Sequence, residues 1–292
     1  MTRALLAALL LAVAGCSQSP KATSVAERRV AAQQAAAIEA NRKGETYLRR
    51  GDLENAARSY REALRLSQSL EDAEGIAANA INLSIVRQRQ GRFGDARASL
   101  DPVLEQPNLS FAPLRLAEAQ LRHALLDLDE RRFSTAETHV SSAARHCGER
   151  CPLSAAIHNV RAQLALEAGR LDAAATSAGA ARDASRAASD NAELANALRL
   201  LGIAALRSGD AGAARANLEQ ALALDHELGA PRKIALDLLA LGRAAALGGE
   251  REAARAYYAR ALAVSEADRD STGVAQARAL LDTVDKAAAT GK

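Results

Sequence analysis

The sequence predicts an all-α solenoid of about six helix hairpins with a C-terminal capping helix. Three observations carry that expectation. The first is a recurring skeleton: GDLENAARSYREAL from Gly51, GDAGAARANLEQAL from Gly209 and GEREAARAYYARAL from Gly249, with looser copies from Gly91, Arg131 and Gly169. These anchors step by 40 residues, with one step of 38 between Arg131 and Gly169. A fixed period of this length marks a helical repeat array, in which each unit buries its apolar face only against its neighbours. The second is a set of small-residue columns. Five residues after the anchors stand Ala56, Ala96, Ala136, Ala174, Ala214 and Ala254; twelve after stand Ala63, Val103, Ala143, Ala181, Ala221 and Ala261. Seven before stand Gly44, Ser84, Ala124, Ala162, Gly202 and Gly242. Small side chains let paired helices approach to the short end of the ~8–10 Å interaxial range. The third is composition: 49% of residues are hydrophobic but only 2% aromatic, so the core must be Ala and Leu at close range, and no stretch alternates long enough for a strand.

The elements follow in order. Residues 1–16 read MTRALLAALLLAVAGC, a positive start followed by an apolar run from Ala4 to Ala14. Eleven residues are too few for a bilayer span of about 20, so the run reads as a secretory signal. Residues 17–24, SQSPKATS, are a polar tether that reaches at most ~28 Å. A helix is expected from Val25 to Arg49, and Gly51-Asp52 ends it and starts a partner that runs to Ser69. Further first helices are expected over 72–90, 112–129, 153–168, 191–208 and 232–248, and second helices over 93–105, 133–146, 171–188, 211–226 and 250–267. Pro102 and Pro107 bracket the end of the second hairpin, while Pro113, Pro152 and Pro231 stand where new helices begin. The second helix of repeat four holds nothing bulkier than Leu171 and contains Gly179, which makes it a thin spot or a hinge. Residues 272–288 gather Val274, Leu280, Leu281 and Val284 on one side and turn Asp282, Asp285 and Lys286 away, as a cap requires.

The chemistry of the chain excludes more than it selects. Net charge is +3, from 38 basic and 35 acidic residues, and aromatics for base stacking are few, so no nucleic-acid partner is expected. A Gly-rich phosphate loop, HExxH and G-x-S-x-G are all absent, so no enzyme, cofactor or metal is expected. Asp127 and Asp129 are two apart and point to different faces of a helix. Cys147 and Cys151 lie in HCGERCP, where Gly148 can end one helix and Pro152 begin the next. That turn brings the two Cα atoms within the ~7 Å a disulfide needs. The alternative is a metal or redox site centred on the same two cysteines, with His139, His146 and His158 nearby, although the spacing is not that of a zinc finger.

Over about residues 37–267 the columns resemble the tetratricopeptide repeat. That family also expects a tyrosine-like residue four before the anchor, as at Tyr47, and a bulky one nine after it, as at Tyr60, Leu100, Val140, Leu218 and Tyr258, with Ala178 departing. A Leu is usual eight before the anchor, as at Leu83, Leu201 and Leu241, where Lys43, His123 and Arg161 depart. The resemblance implies a right-handed solenoid whose first helices line a concave groove for a protein or peptide. The groove residues so implied are Asn41, Arg49, Ile81, Asn82, Ile85, Arg89, Leu121, Arg122, Leu125, Asn159, Asn196 and Arg199, with Ile81, Ile85, Leu121 and Leu125 as an exposed apolar patch. An Asn amide can clamp a peptide backbone and Arg can hold a carboxylate; equally, these Asn can simply face water.

Val13-Ala14-Gly15-Cys16 resembles a bacterial lipobox, which implies cleavage before Cys16 and acylation of it; an ordinary signal peptide is the alternative. Ser17, rather than Asp, implies transfer to the outer membrane on its periplasmic face. The expected organisation is a signal peptide over 1–15, a lipidated Cys and tether over 16–24, and the solenoid over 25–288. The function these resemblances imply is an anchored periplasmic scaffold or adaptor for assembly or regulation of an envelope complex. The alternative is a metal- or redox-responsive periplasmic protein centred on Cys147 and Cys151.

Overall fold

The structure, a computed structural model, describes residues 24–106, 108–148 and 151–289, with side chains to 286. The expected signal, Cys16 and nearly all of the tether lie outside the described residues. The chain forms α1 (Val25–Arg49) and α2 (Leu53–Ser69), then α3 (Ala73–Arg89) with α4 (Phe93–Ala98) and α5 (Asp101–Leu104). Next come α6 (Pro113–Asp129), α7 (Phe133–Cys147), α8 (Ser154–Glu167) and α9 (Leu171–Ala188). The last are α10 (Asn191–Ser208), α11 (Ala211–Glu227), α12 (Pro231–Leu247), α13 (Arg251–Ala267) and the capping α14 (Ser271–Ala289). Successive helices pack on one another along the array, and no strand occurs among the described residues. No described helix is long and apolar enough to cross a membrane.

The period is enforced at the turns. The anchor residue is left-handed in every repeat, from φ +70° at Gly169 to +88° at Gly209, and Arg131 takes the same conformation at +58°. An L-residue there costs roughly 1–2 kcal/mol, which is why the other five anchors are Gly. Asp52, Asp72, Asp190 and Asp210 then cap the following helices by accepting backbone N–H bonds.

The small columns are explained by what faces them. A Cβ on Gly242 would stand 2.3 Å from the Tyr258 ring, one on Gly44 would stand 2.8 Å from Tyr60, and one on Gly202 would stand 2.5 Å from Leu218. Each pair is 16 residues apart, the offset at which the two helices of a hairpin touch. Repeats with Ala at the first position carry a smaller partner: Ala124 goes with Val140 and Ala162 with Ala178, all fully or nearly buried. Volume is thus traded within a hairpin. The departure at Ala178 belongs to this trade, and α9 runs unbroken through Gly179.

One element departs from expectation. The second helix of repeat two, expected as one piece over 93–105, is broken after Ala98. Pro102 offers no N–H to the Ala98 carbonyl and its ring crowds that oxygen. Leu100 N–H instead bonds Arg97 O at 2.8 Å and Val103 N–H bonds Leu100 O at 2.9 Å, tightening the turn. The cap also differs in one detail, because Asp285 reaches back to Arg255 on α13 at 2.9 Å instead of facing away.

Candidate binding groove and buried polar clusters

Two adjoining hollows open along the first helices of repeats one to three. One of about 470 Å³ lies between α1 and α3, lined by Ile38, Asn41, Ala78, Asn79 and Arg115 among others. The other, about 340 Å³, lies between α3 and α6, lined by Ala78, Ile81, Asn82, Leu121, Leu125 and Leu153 among others. Ala78 and Arg115 belong to both, so the hollows form one trough. Arg115 is fixed at its rim by Glu74 and Glu118, each at 2.7 Å. Ile38 is 70% exposed, a large apolar side chain left open at one end. Asn82 makes no side-chain hydrogen bond to any described residue, so both ends of its amide are available. Arg49 and Arg89 are exposed and form no ion pair with a described residue. A further hollow of about 310 Å³ is lined by Ile203, Leu206, Arg207, Arg243 and Leu247.

Other expected groove residues are committed inside the fold. Leu121 is only 7% exposed and packs with Ile157, Val160 and Leu164 of α8, so it is floor and not exposed patch. Ile81, Ile85 and Leu125 stay half-buried. Arg122, 9% exposed, donates to the side chain and carbonyl of Ser84, both at 3.2 Å, and to Gln88. Burial pulls its guanidinium pKa down to about 10. Asn159 donates to the Glu193 carbonyl and carboxylate at 3.0 and 2.7 Å. Asn196 donates to Glu193 at 3.2 Å and accepts from Arg199 at 3.1 Å and Lys233 at 2.9 Å. Asn41 spends its amide nitrogen on Asn79 Oδ1 at 2.7 Å.

Arg199 is the centre of a cluster that spans repeats five and six. Its Nε donates to Asp237 at 2.6 Å and its Nη2 to Asp225, and both carboxylates are fully buried. Burial pushes the Asp237 carboxyl up to about 7 against the pull of Arg199, and neighbouring Asp225 adds to the rise. Asn79, Asp225 and Asp237 belong to no motif of the sequence taken helix by helix. For Asn79 and Asp237 the signal is a separation of 38 residues: Asn41–Asn79, Ser84–Arg122 and Arg199–Asp237 are all rungs between successive first helices, whereas Asp225 on α11 lies 26 residues from Arg199 and has no such signal.

Residues 34–105 match the family model of the tetratricopeptide repeat. Over that stretch the hairpins are tetratricopeptide repeats, and the later helices continue the same hairpin pattern. No curated protein matches the chain in sequence. Among solved structures it is similar to a Rap protein complexed with competence and sporulation factor, with TM-score 0.62, 14% identity, and coverage of 88% of this chain and 71% of that one. It is similar also to the apo form of RapI, with TM-score 0.59, 12% identity, and coverage of 87% and 72%. Aspartyl phosphate phosphatase F from Bacillus subtilis follows, with TM-score 0.52, 16% identity, and coverage of 86% and 69%. At such identities the likeness is one of fold.

The cysteines lie within the one anchor step that is 38 residues long instead of 40. Cys147 ends α7, Cys151 precedes α8, and their sulfurs are bonded with the Cα atoms 5.1 Å apart. Two sulfurs bonded to each other cannot ligate a metal as thiolates, which removes the centre of the metal-site alternative at these residues.

Proposed function

We propose that this protein is a tetratricopeptide scaffold that binds a protein or peptide along the first-helix face of repeats one to three, anchored by lipid on Cys16 to the periplasmic face of the outer membrane. The observation that carries the binding reading is the trough with Asn82 unengaged inside it. Ile38, Ile81 and Leu125 offer apolar contact, the Asn82 amide can pair with a peptide backbone, and Arg49 and Arg89 offer charge to an acidic segment or C-terminal carboxylate. Apolar surface rimmed by polar groups is the usual character of an interaction site. The anchor reading rests on the Val13–Cys16 pattern and the short apolar run before it. Assembly or regulation of an envelope complex is the role that a tethered adaptor of this kind fits.

Each half has its own test. Ile38→Asp and Asn82→Ala change exposed or unengaged side chains, so they should lower partner affinity by about tenfold or more while thermal stability moves little. Binding that persists in both, or weakens equally with a change at exposed Leu236 on α12, contradicts the trough. For the anchor, Cys16→Ser should move the protein out of the membrane fraction, since several acyl chains hold firmly where one is marginal. Wild-type protein found free of membrane contradicts it.

A further inference from the structure

His123 and Asp127 are four residues apart on α6 and share a face, and His139 reaches them from α7. Asp127 is fully buried. Its Oδ1 is held by Arg132, while its Oδ2 has no hydrogen-bond donor. His123 Nδ1, 3.5 Å from that oxygen, is likewise buried without a partner. His139 Nδ1 lies 2.7 Å from Gln120 Oε1. An amide oxygen only accepts, so Nδ1 carries the proton and Nε2 turns a lone pair towards Asp127 Oδ2, 3.7 Å away. The two rings stack at 4.0 Å, and the three ligand atoms all lie within 4.8 Å of one another.

We propose that His123, Asp127 and His139 form a binding site for a divalent transition-metal ion, with zinc the best match. A buried carboxylate oxygen without a donor is costly, and nearby imidazole nitrogens do not relieve it at these distances. A cation between the three satisfies all of them at once. Two imidazoles and one carboxylate are donors suited to zinc, whereas calcium and magnesium favour all-oxygen shells. Zinc bonds of about 2.0–2.1 Å place tetrahedral ligands roughly 3.3 Å apart, so side-chain rotations close the present separations. Gln120 fixes the His139 tautomer as an outer-shell partner does. The His123 and His139 side chains are 19% and 24% exposed, which leaves an entry path and a fourth position for water.

The repeat itself shows that the cluster is an insertion of chemistry into a packing position. His123 stands where repeats two, five and six have Leu83, Leu201 and Leu241. In repeat two the positions equivalent to Asp127 and His139 are Arg87 and Ser99, and there Arg87 donates to the Ser99 hydroxyl at 2.7 Å, so the need is met internally. At the same positions in repeat three, Asp127 Oδ2 and His123 Nδ1 face each other with no hydrogen-bond partner. An ion there ties α6 to α7 in the hairpin that also carries Leu121 and Arg122, the floor of the trough. The site does not depend on the binding reading above.

The test uses the full chain, stripped with chelator under non-reducing conditions and titrated with zinc by calorimetry. One equivalent is expected, and cobalt in its place should give the strong visible bands of a four- or five-coordinate site. His123→Leu restores the residue of the other repeats and should keep helical circular dichroism while losing that equivalent. Asp127→Asn should also lose it, and Gln120→Ala should weaken it about 10- to 100-fold. His146, His158 and His226 remain in all these variants and control for adventitious binding. No stoichiometric binding by the wild type, or the same binding by folded His123→Leu and Asp127→Asn, overturns the proposal.

Discussion

Repeat three and repeat five each turn polar side chains into the space between helices, and in each a carboxylate is fully buried. Around Arg199 the fold supplies most of the partners: one guanidinium bonds both Asp225 and Asp237, Asn196 is held by Glu193, Arg199 and Lys233, and Asp225 Oδ1 alone of these carboxylate oxygens lacks a donor. Around Asp127 the unmet groups come as a facing set, because Oδ2 and His123 Nδ1 lie 3.5 Å apart and neither has a hydrogen-bond partner. The same contrast holds on the surface, where Asn196 has both ends of its amide occupied and Asn82 has neither. Similar residues at similar depth therefore serve different ends. Where the fold supplies the partner, the polar group is a rung between repeats. Where it does not, the group is available to something from outside.

The contrast can be broken most forcefully at Arg199. Replacing it with Ala leaves two buried carboxylates unpaired and should cost about 3–5 kcal/mol in urea unfolding. His123→Leu, at the other cluster, should cost nothing or stabilise the metal-free protein, since it removes an unmet polar group from a position that packs Leu elsewhere. Equal losses at both sites would erase the distinction. A smaller effect is expected from Arg132→Ala, which takes from Asp127 Oδ1 its donor: about 1–3 kcal/mol without metal, with part of it recovered in saturating zinc.

The pH dependence sharpens the picture of the closed cluster. The folded-state pKa of Asp237 is raised from an ordinary carboxylate value to about 7. A raised pKa means that the folded state binds the proton more tightly, so this contribution is full below the unfolded pKa and is lost as pH rises through about 7. Unfolding free energy measured across that window should fall with pH, and Asp237→Asn, which mimics the protonated form, should flatten the slope. An unchanged slope in that variant would place the titration elsewhere.

Most of the fold could be read from the residues because turns and packing repeat together. Left-handed Gly at the anchors and small residues opposite Tyr60, Leu218 and Tyr258 fix the hairpins locally. The break at Ser99–Leu100 does not follow from taking Pro102 as a bracket of the helix end, because the effect of the proline reaches back four residues to the Ala98 carbonyl. Within its own repeat Leu121 looks open, because its cover, Ile157 and Val160, comes from the next repeat; Leu121→Asp is accordingly expected to unfold repeat three. The rungs at 38 residues need the offset between successive first helices, which no single helix pattern carries. His123 and His139 stand 16 residues apart, the same offset as Gly44 and Tyr60, so the pair was present in the repeat's own register. Taken only as a departure from Leu, His123 gives no hint of its partner on α7.

The central claim is that the trough of repeats one to three receives a partner while the corresponding polar face of repeat five is internally closed. Site-specific photocrosslinking in the native cell measures this directly, with the reactive residue placed at position 78, which lines both hollows, in one full-length chain and at position 196, the same place in repeat five, in another. A discrete adduct is expected from position 78 that disappears with Ile38→Asp, and none from position 196. Adducts of equal yield from both positions, or an adduct at 78 indifferent to Ile38→Asp, would contradict it.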